Sequence, residues 1–106
     1  MPKYLVEATY SAEGLKGLQR DKASGRRQAI TRAVEGLGGK VDGFYCALGE
    51  RDVIVIVDMP DLVSGTALAV SASASGLVRT KTTPLLTVEE ADRALAKVVE
   101  YRAPGA

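Results

Sequence analysis

The chain contains no histidine and no tryptophan, and only one cysteine. Without histidine, Ser-His and Cys-His nucleophilic pairs, histidine-ligated zinc and haem on an axial histidine are all excluded. Any acid–base chemistry falls to Asp, Glu, Lys, Tyr, arginine-assisted water or Cys46. A lone cysteine rules out an internal disulfide and fits a reducing compartment. Aromatic residues make up 5% of the chain, which argues against a base-stacking platform. No apolar run approaches the roughly 20 residues that span a bilayer, and the Met-Pro-Lys-Tyr start lacks a signal-peptide core. Net charge is +1, so no overall field draws the chain to nucleic acid or to an anionic membrane. The expectation is a cytoplasmic protein with no cofactor and with neither nucleic acid nor membrane as partner.

What remains is a chain of 106 residues, 46% apolar and 25% charged, suited to one domain over residues 1–106 with one core. Its organising stretch is residues 43–60. Two strands meet there at Gly49-Glu50-Arg51, and the second carries Val53-Ile54-Val55-Ile56-Val57. A strand with one face in water alternates apolar and polar residues, and this one does not. It needs cover on both sides. Helices of the same chain can supply one side, and a second copy of the protein the other.

The remaining elements follow from periodicity. Residues 3–10 alternate as a strand, with Tyr4, Val6, Ala8 and Tyr10 on one face and Lys3, Leu5, Glu7 and Thr9 on the other. Tyr4 and Tyr10 read as core-edge residues whose hydroxyls reach water. Ser11 is an N-cap for a short helical turn with Leu15 and Leu18 on its apolar side, weakened by Gly14 and Gly17 and followed by a loop over 20–25. A helix over 24–37 shows a stripe of Ala29, Ile30, Ala33, Val34 and Leu37 and stops at Gly38-Gly39. A strand over 40–48 places Val41, Gly43, Tyr45 and Ala47 opposite Asp42, Phe44, Cys46 and Leu48. A strand over 52–59 ends at Pro60. A helix over 61–75, capped by Asp61, is rich in Ser, Ala and Gly and reads as one that packs closely on the sheet. A strand over 77–86 carries Pro84, which confines that end to an edge. Thr87 and Glu90 have capping-box spacing for a last helix with Ala91, Leu95, Val98 and Val99 on one stripe, and residues 101–106 read as a frayed tail.

This order predicts an α+β, ferredoxin-like βαββαβ fold with a four-stranded antiparallel sheet of order 4-1-3-2 and an extra C-terminal helix. Two helices cover one face. The other face is left as an apolar patch, which two copies would bury by stacking as a homodimer or within a higher homo-oligomer. The rival account has the C-terminal helix cover that face instead.

The run over residues 38–61, GGKVDGFYCALGERDVIVIVDMPD, together with the later Gly76-Leu77-Val78-Arg79-Thr80, resembles the GYD domain family from the first strand to about Thr87. At the turn Gly49, Glu50 and Asp52 match the family pattern, while Arg51 stands where a tyrosine is usual. The family is similar to dimeric α+β barrel proteins. The resemblance implies a ferredoxin-like fold with stacked sheets and carries no particular activity.

Three groups of residues are candidates for a site. Glu7, Tyr45, Arg79 and Lys81 come first. If the Arg79–Lys81 face coincides with the Leu5–Glu7 face, Glu7 and Arg79 pair on the open side, where the arginine fork suits a carboxylate or other anion. An ion pair that fixes dimer register is the commoner role for such residues. Glu50, Arg51 and Asp52 form a second group at the hairpin, able to bind a cation. No third ligand is evident, and a turn in which Asp52 satisfies backbone N–H groups is favoured. Cys46, between Tyr45 and Ala47 with no histidine to activate it, reads as a buried packing residue. Gly36-Leu37-Gly38-Gly39 ends a helix and so lacks the strand-to-helix setting of a phosphate loop. The sequence thus points to a homo-oligomeric domain binding a small molecule at or beside the sheet face. The alternatives are a cofactor-free isomerase or monooxygenase acting on a small organic substrate, and a structural interaction domain with no ligand.

Overall fold

The computed structural model describes residues 1–106 and has the order β1 (Lys3–Tyr10), α1 (Ala12–Gly36), β2 (Lys40–Cys46), β3 (Val53–Asp58), α2 (Leu62–Ala74), β4 (Val78–Leu85) and α3 (Val88–Leu95). The sheet is four-stranded with order β2-β3-β1-β4, and every neighbouring pair is antiparallel. Read from the other edge this is 4-1-3-2. The fold is therefore α+β and ferredoxin-like, with a helix added at the C-terminus.

The helix-covered face holds the core. Tyr4 and Ala8 of β1, Val53, Val55 and Val57 of β3, Val34 of α1 and Met59 are buried and contiguous. Tyr4 is only 4% exposed and so belongs to the core, not to its rim. The register explains the alternation of β3. Val55 faces Val6 and Val57 faces Tyr4, all on the helix side, while Ile54 and Ile56 alternate onto the opposite face and remain half-buried.

Three local features depart from the sequence expectation. First, residues 20–25 are not a loop. Helix α1 runs through them and is kinked at Lys22, whose φ of 65° and ψ of 166° are non-helical. Second, the start of α1 lies close to the sheet. Ser11 caps it by accepting the N–H of Gly14, and its own N–H donates to Leu77 O at 2.9 Å. A Cβ on Gly14 would come within 2.0 Å of that same carbonyl oxygen. Gly14 is therefore a point of close approach as well as a weak helix former. Leu15 turns outward instead of packing, and in the second half of α1 Ala29 and Ala33 are exposed, leaving Ile30, Val34 and Leu37 as the inward stripe. Third, β2 contains a bulge between Val41 and Gly43. One extra residue, Asp42, reverses the alternation beyond it. Val41 and Phe44 both pack on the core, whereas Gly43 and Tyr45 lie opposite Ile56 and Ile54 on the open face. Strict alternation had put Val41 with Tyr45. Cys46, at the end of this edge strand, is exposed and not buried.

Helix α2 is capped by Asp61, whose carboxylate accepts the N–H of Ser64 at 2.7 Å. Its small residues do admit a close neighbour: Gly65 sits over the ring of Tyr4.

Helix α3 has a complete capping box, with Thr87 and Glu90 each bonding the other's backbone N–H. None of its residues is buried, and Val88 and Leu95 are exposed, as are Val98 and Val99 beyond its end. The radius of gyration is 16.6 Å, against about 13 Å for a compact chain of this length. The C-terminal segment thus stands off the body and does not cover the open face of its own sheet.

Candidate functional site

The open face has three zones. In the middle lie Leu5, Ile54, Ile56 and Tyr45, placed by the β1–β3 and β2–β3 registers. At one end Lys3 stands between two carboxylates, in contact with Asp42 and 2.9 Å from Asp58. The Asp42 bulge brings the first of these carboxylates within reach. Lys3 is held above its ordinary pKa by hydrogen bonding to Asp42 and then to Asp58, and Asp42 is held below the usual carboxylate range chiefly by the Lys3 ammonium.

At the other end the connection over residues 47–52 folds across β1. Gly49, with φ of 120°, supplies a backbone state that other residues rarely adopt. The Asp52 carboxylate accepts the N–H of Tyr10 at 2.8 Å, just beyond the last paired residue of β3. Thr9 Oγ1 donates to Glu50 O at 2.9 Å. Asp52 thus serves the turn, and Glu50 contributes a carbonyl to it while remaining exposed. These bonds lay Arg51 onto the sheet, its Nε 3.4 Å from Glu7 Oε2 and its Nη1 3.5 Å from Thr9 Oγ1.

The register also sets the charges from β4. Lys81 lies opposite Glu7 and Arg79 opposite Thr9, and neither forms an ion pair within 4.0 Å. Glu7 is therefore paired with Arg51 and not with Arg79. Glu7, Thr9, Arg51, Arg79 and Lys81 line an open polar groove of about 320 Å³. Three cations face one carboxylate there, and that carboxylate is already engaged. Such a groove favours anions, and an arginine fork suits a carboxylate or phosphate. Tyr45 shares the face but lies two strands away, 62% exposed, with its ring against Gly43. The structure brings Glu7, Arg79 and Lys81 together, adds Arg51, and leaves Tyr45, Glu50 and Asp52 outside the groove. Nothing in the sequence around Arg51 reveals its position, because that depends on how the loop crosses β1. No group of three or more acidic or cysteine side chains is arranged to hold a metal ion. No helix is long and apolar enough to cross a membrane.

An antiparallel sheet of order β2-β3-β1-β4, two covering helices and a charged groove on the opposite face define a ferredoxin-like α+β domain. The GYD domain profile matches residues 4–95 of this chain, which belongs to that family. No curated protein matches it.

Proposed function

We propose that the chain acts as a homo-oligomer, at its simplest a dimer, joined through the open sheet face, and that it binds a small anionic molecule in the groove at the end of that face. The groove carries this reading: Arg51, Arg79 and Lys81 surround a single, already paired carboxylate. A cluster of like charges beside an apolar strip is unfavourable unless counter-charge fills it. The strip of Leu5, Ile54 and Ile56 supports the assembly half of the reading, since nothing from the chain's own α3 lies over it. With only Glu7 as a carboxylate in the groove, and that engaged by Arg51, the arrangement favours binding over proton-transfer chemistry.

The test is native mass spectrometry of gently purified protein, with Arg79→Ala beside the wild type. The expected result is an oligomer with a reproducible adduct, and a variant that keeps the oligomer and loses the adduct. A monomer, or an adduct indifferent to Arg79→Ala, would sink the proposal. An oligomer lost with Arg79→Ala would assign that arginine to the interface.

A further inference from the structure

A second cavity lies on the other side of the sheet. It is a cleft of about 290 Å³ between the first half of α1, the end of α2 and the start of β4. Tyr10, Leu18, Leu77 and Val78 give it an apolar wall, with Tyr10 and Val78 paired across β1 and β4. Arg26 reaches it from beyond the kink in α1. The Arg26 Nε is shielded from solvent and has no hydrogen-bond partner in the protein. The nearest carboxylate, on Asp21, is 3.9 Å from Arg26 Nη1, beyond hydrogen-bond distance. A shielded donor without an acceptor is uncommon in a native fold, and the Arg26 side chain as a whole is 29% exposed, which leaves part of it within reach of a ligand in the cleft. The kink at Lys22, in a conformation that L-residues rarely adopt, lies between Asp21 and Arg26, and both of these line the cleft.

We infer that this cleft is a binding site for a small amphipathic monocarboxylate, its carboxylate on Arg26 and its apolar part against Tyr10, Leu18, Leu77 and Val78. Charge and size select that class. A single guanidinium, with the Asp21 carboxylate 3.9 Å away as a loose competitor, can hold at most one further carboxylate and disfavours a dianion such as phosphate. A volume of about 290 Å³ stands at the lower end of small-molecule pockets, which run from about 300 Å³ upward. Guanidinium and carboxylate match as a two-pronged pair. The site shares no lining residue with the sheet-face groove.

The experiment is an amide NMR titration of the full chain with sodium benzoate, using benzyl alcohol as the uncharged probe. Benzoate should shift the amides of Gly17, Ser71, Ser75 and Leu77 saturably, with the millimolar affinity expected of so small a probe. Arg26→Gln should weaken benzoate about tenfold and leave the weaker binding of benzyl alcohol unchanged. Gly17→Leu provides a variant that does not depend on charge. Gly17 lines the cleft, a Cβ there meets only Arg20 Nη2 at 3.9 Å, and a leucine replaces a poor helix former, so the added bulk should weaken binding of both probes. Arg79→Ala should leave benzoate binding in the cleft intact, which separates this inference from the groove. Absence of saturable shifts, shifts clustered around Arg51 and Lys81, or undiminished binding in Gly17→Leu would each overturn it.

Discussion

The two faces of the sheet are built from the same strands and differ in what holds them. On the helix side, Val53, Val55, Val57, Tyr4 and Ala8 are enclosed by α1 and α2 and surround no charged group. On the open side, Leu5, Ile54 and Ile56 are flanked by Lys3 with Asp42 and Asp58 at one end, and by Arg51 with Glu7 at the other. The first face follows from apolar burial, which is non-directional and dominates folding. The second combines apolar strip and charge in a pattern that contributes little to the stability of one chain. Stability is therefore concentrated on one face of these strands, and the proposed recognition on the other.

Substitutions on each face should separate these roles. The largest effect belongs to Met59, which is fully buried. Met59→Ala should cost about 3 kcal/mol in urea unfolding, through lost transfer energy and the cavity left behind. A loss below about 1 kcal/mol would mean that the core is looser than its burial implies. Gly14→Ala comes next, at about 2 kcal/mol, since its Cβ would collide with Leu77 O and force α1 away from β4. An unchanged midpoint would show that α1 moves freely there. Ile56→Asp on the open face should change the unfolding free energy of a monomer by about 1 kcal/mol or less. If the proposed assembly forms through this face, the same substitution should shift the sedimentation coefficient to that of a single chain. If it unfolds the protein instead, the open face is part of the core and the contrast between faces fails.

The pattern of success in reading the sequence follows the same division. The alternation of β1 and the unbroken apolar run of β3 were legible because each residue's burial follows from the period of a strand. The strand order was legible for a different reason, since the element order βαββαβ with right-handed crossovers admits few arrangements. The Asp42 bulge was not, because one inserted residue leaves no mark in a short strand and yet moves Val41 and Tyr45 to opposite faces. Cys46 was misplaced because burial was inferred from its neighbours in sequence, while an edge strand has a neighbour on one side only. Arg79 and Lys81 were correctly grouped by alternation, but the partner of Glu7 came from a loop whose path no periodicity describes.

Removal of α3 by ending the chain after Leu86 should leave the unfolding transition unchanged, as none of the helix's residues is buried. A destabilised truncation would show that α3 finds a partner surface in solution. A further small effect concerns pH. Asp42, Asp61 and Glu90 are held below the usual carboxylate range, by the Lys3 ammonium, the Ser64 N–H and the Thr87 N–H respectively. A lowered folded pKa gives a contribution that is complete above the unfolded value of about 4 and is lost as pH falls through the folded one. For Lys3 the folded pKa is raised, so its contribution is complete below the unfolded value of about 10.4 and is lost as pH climbs through the folded one. Lys3→Met should therefore lessen the alkaline decline in thermal midpoint and soften the acid one. An alkaline limb unchanged by the substitution would place its origin elsewhere.

The Asp42 bulge and Pro84 also have a bearing on how the molecule behaves at high concentration. They lie on β2 and β4, the two outer strands of the sheet. A bulge twists one border away from a regular ladder, and a proline withholds an N–H from the other. Neither border is a good template for an incoming strand from another chain. Ribbon growth, the route by which flat sheets polymerise into fibres, is discouraged at both ends, so copies of this protein that meet through their sheets are steered toward closed assemblies of fixed size.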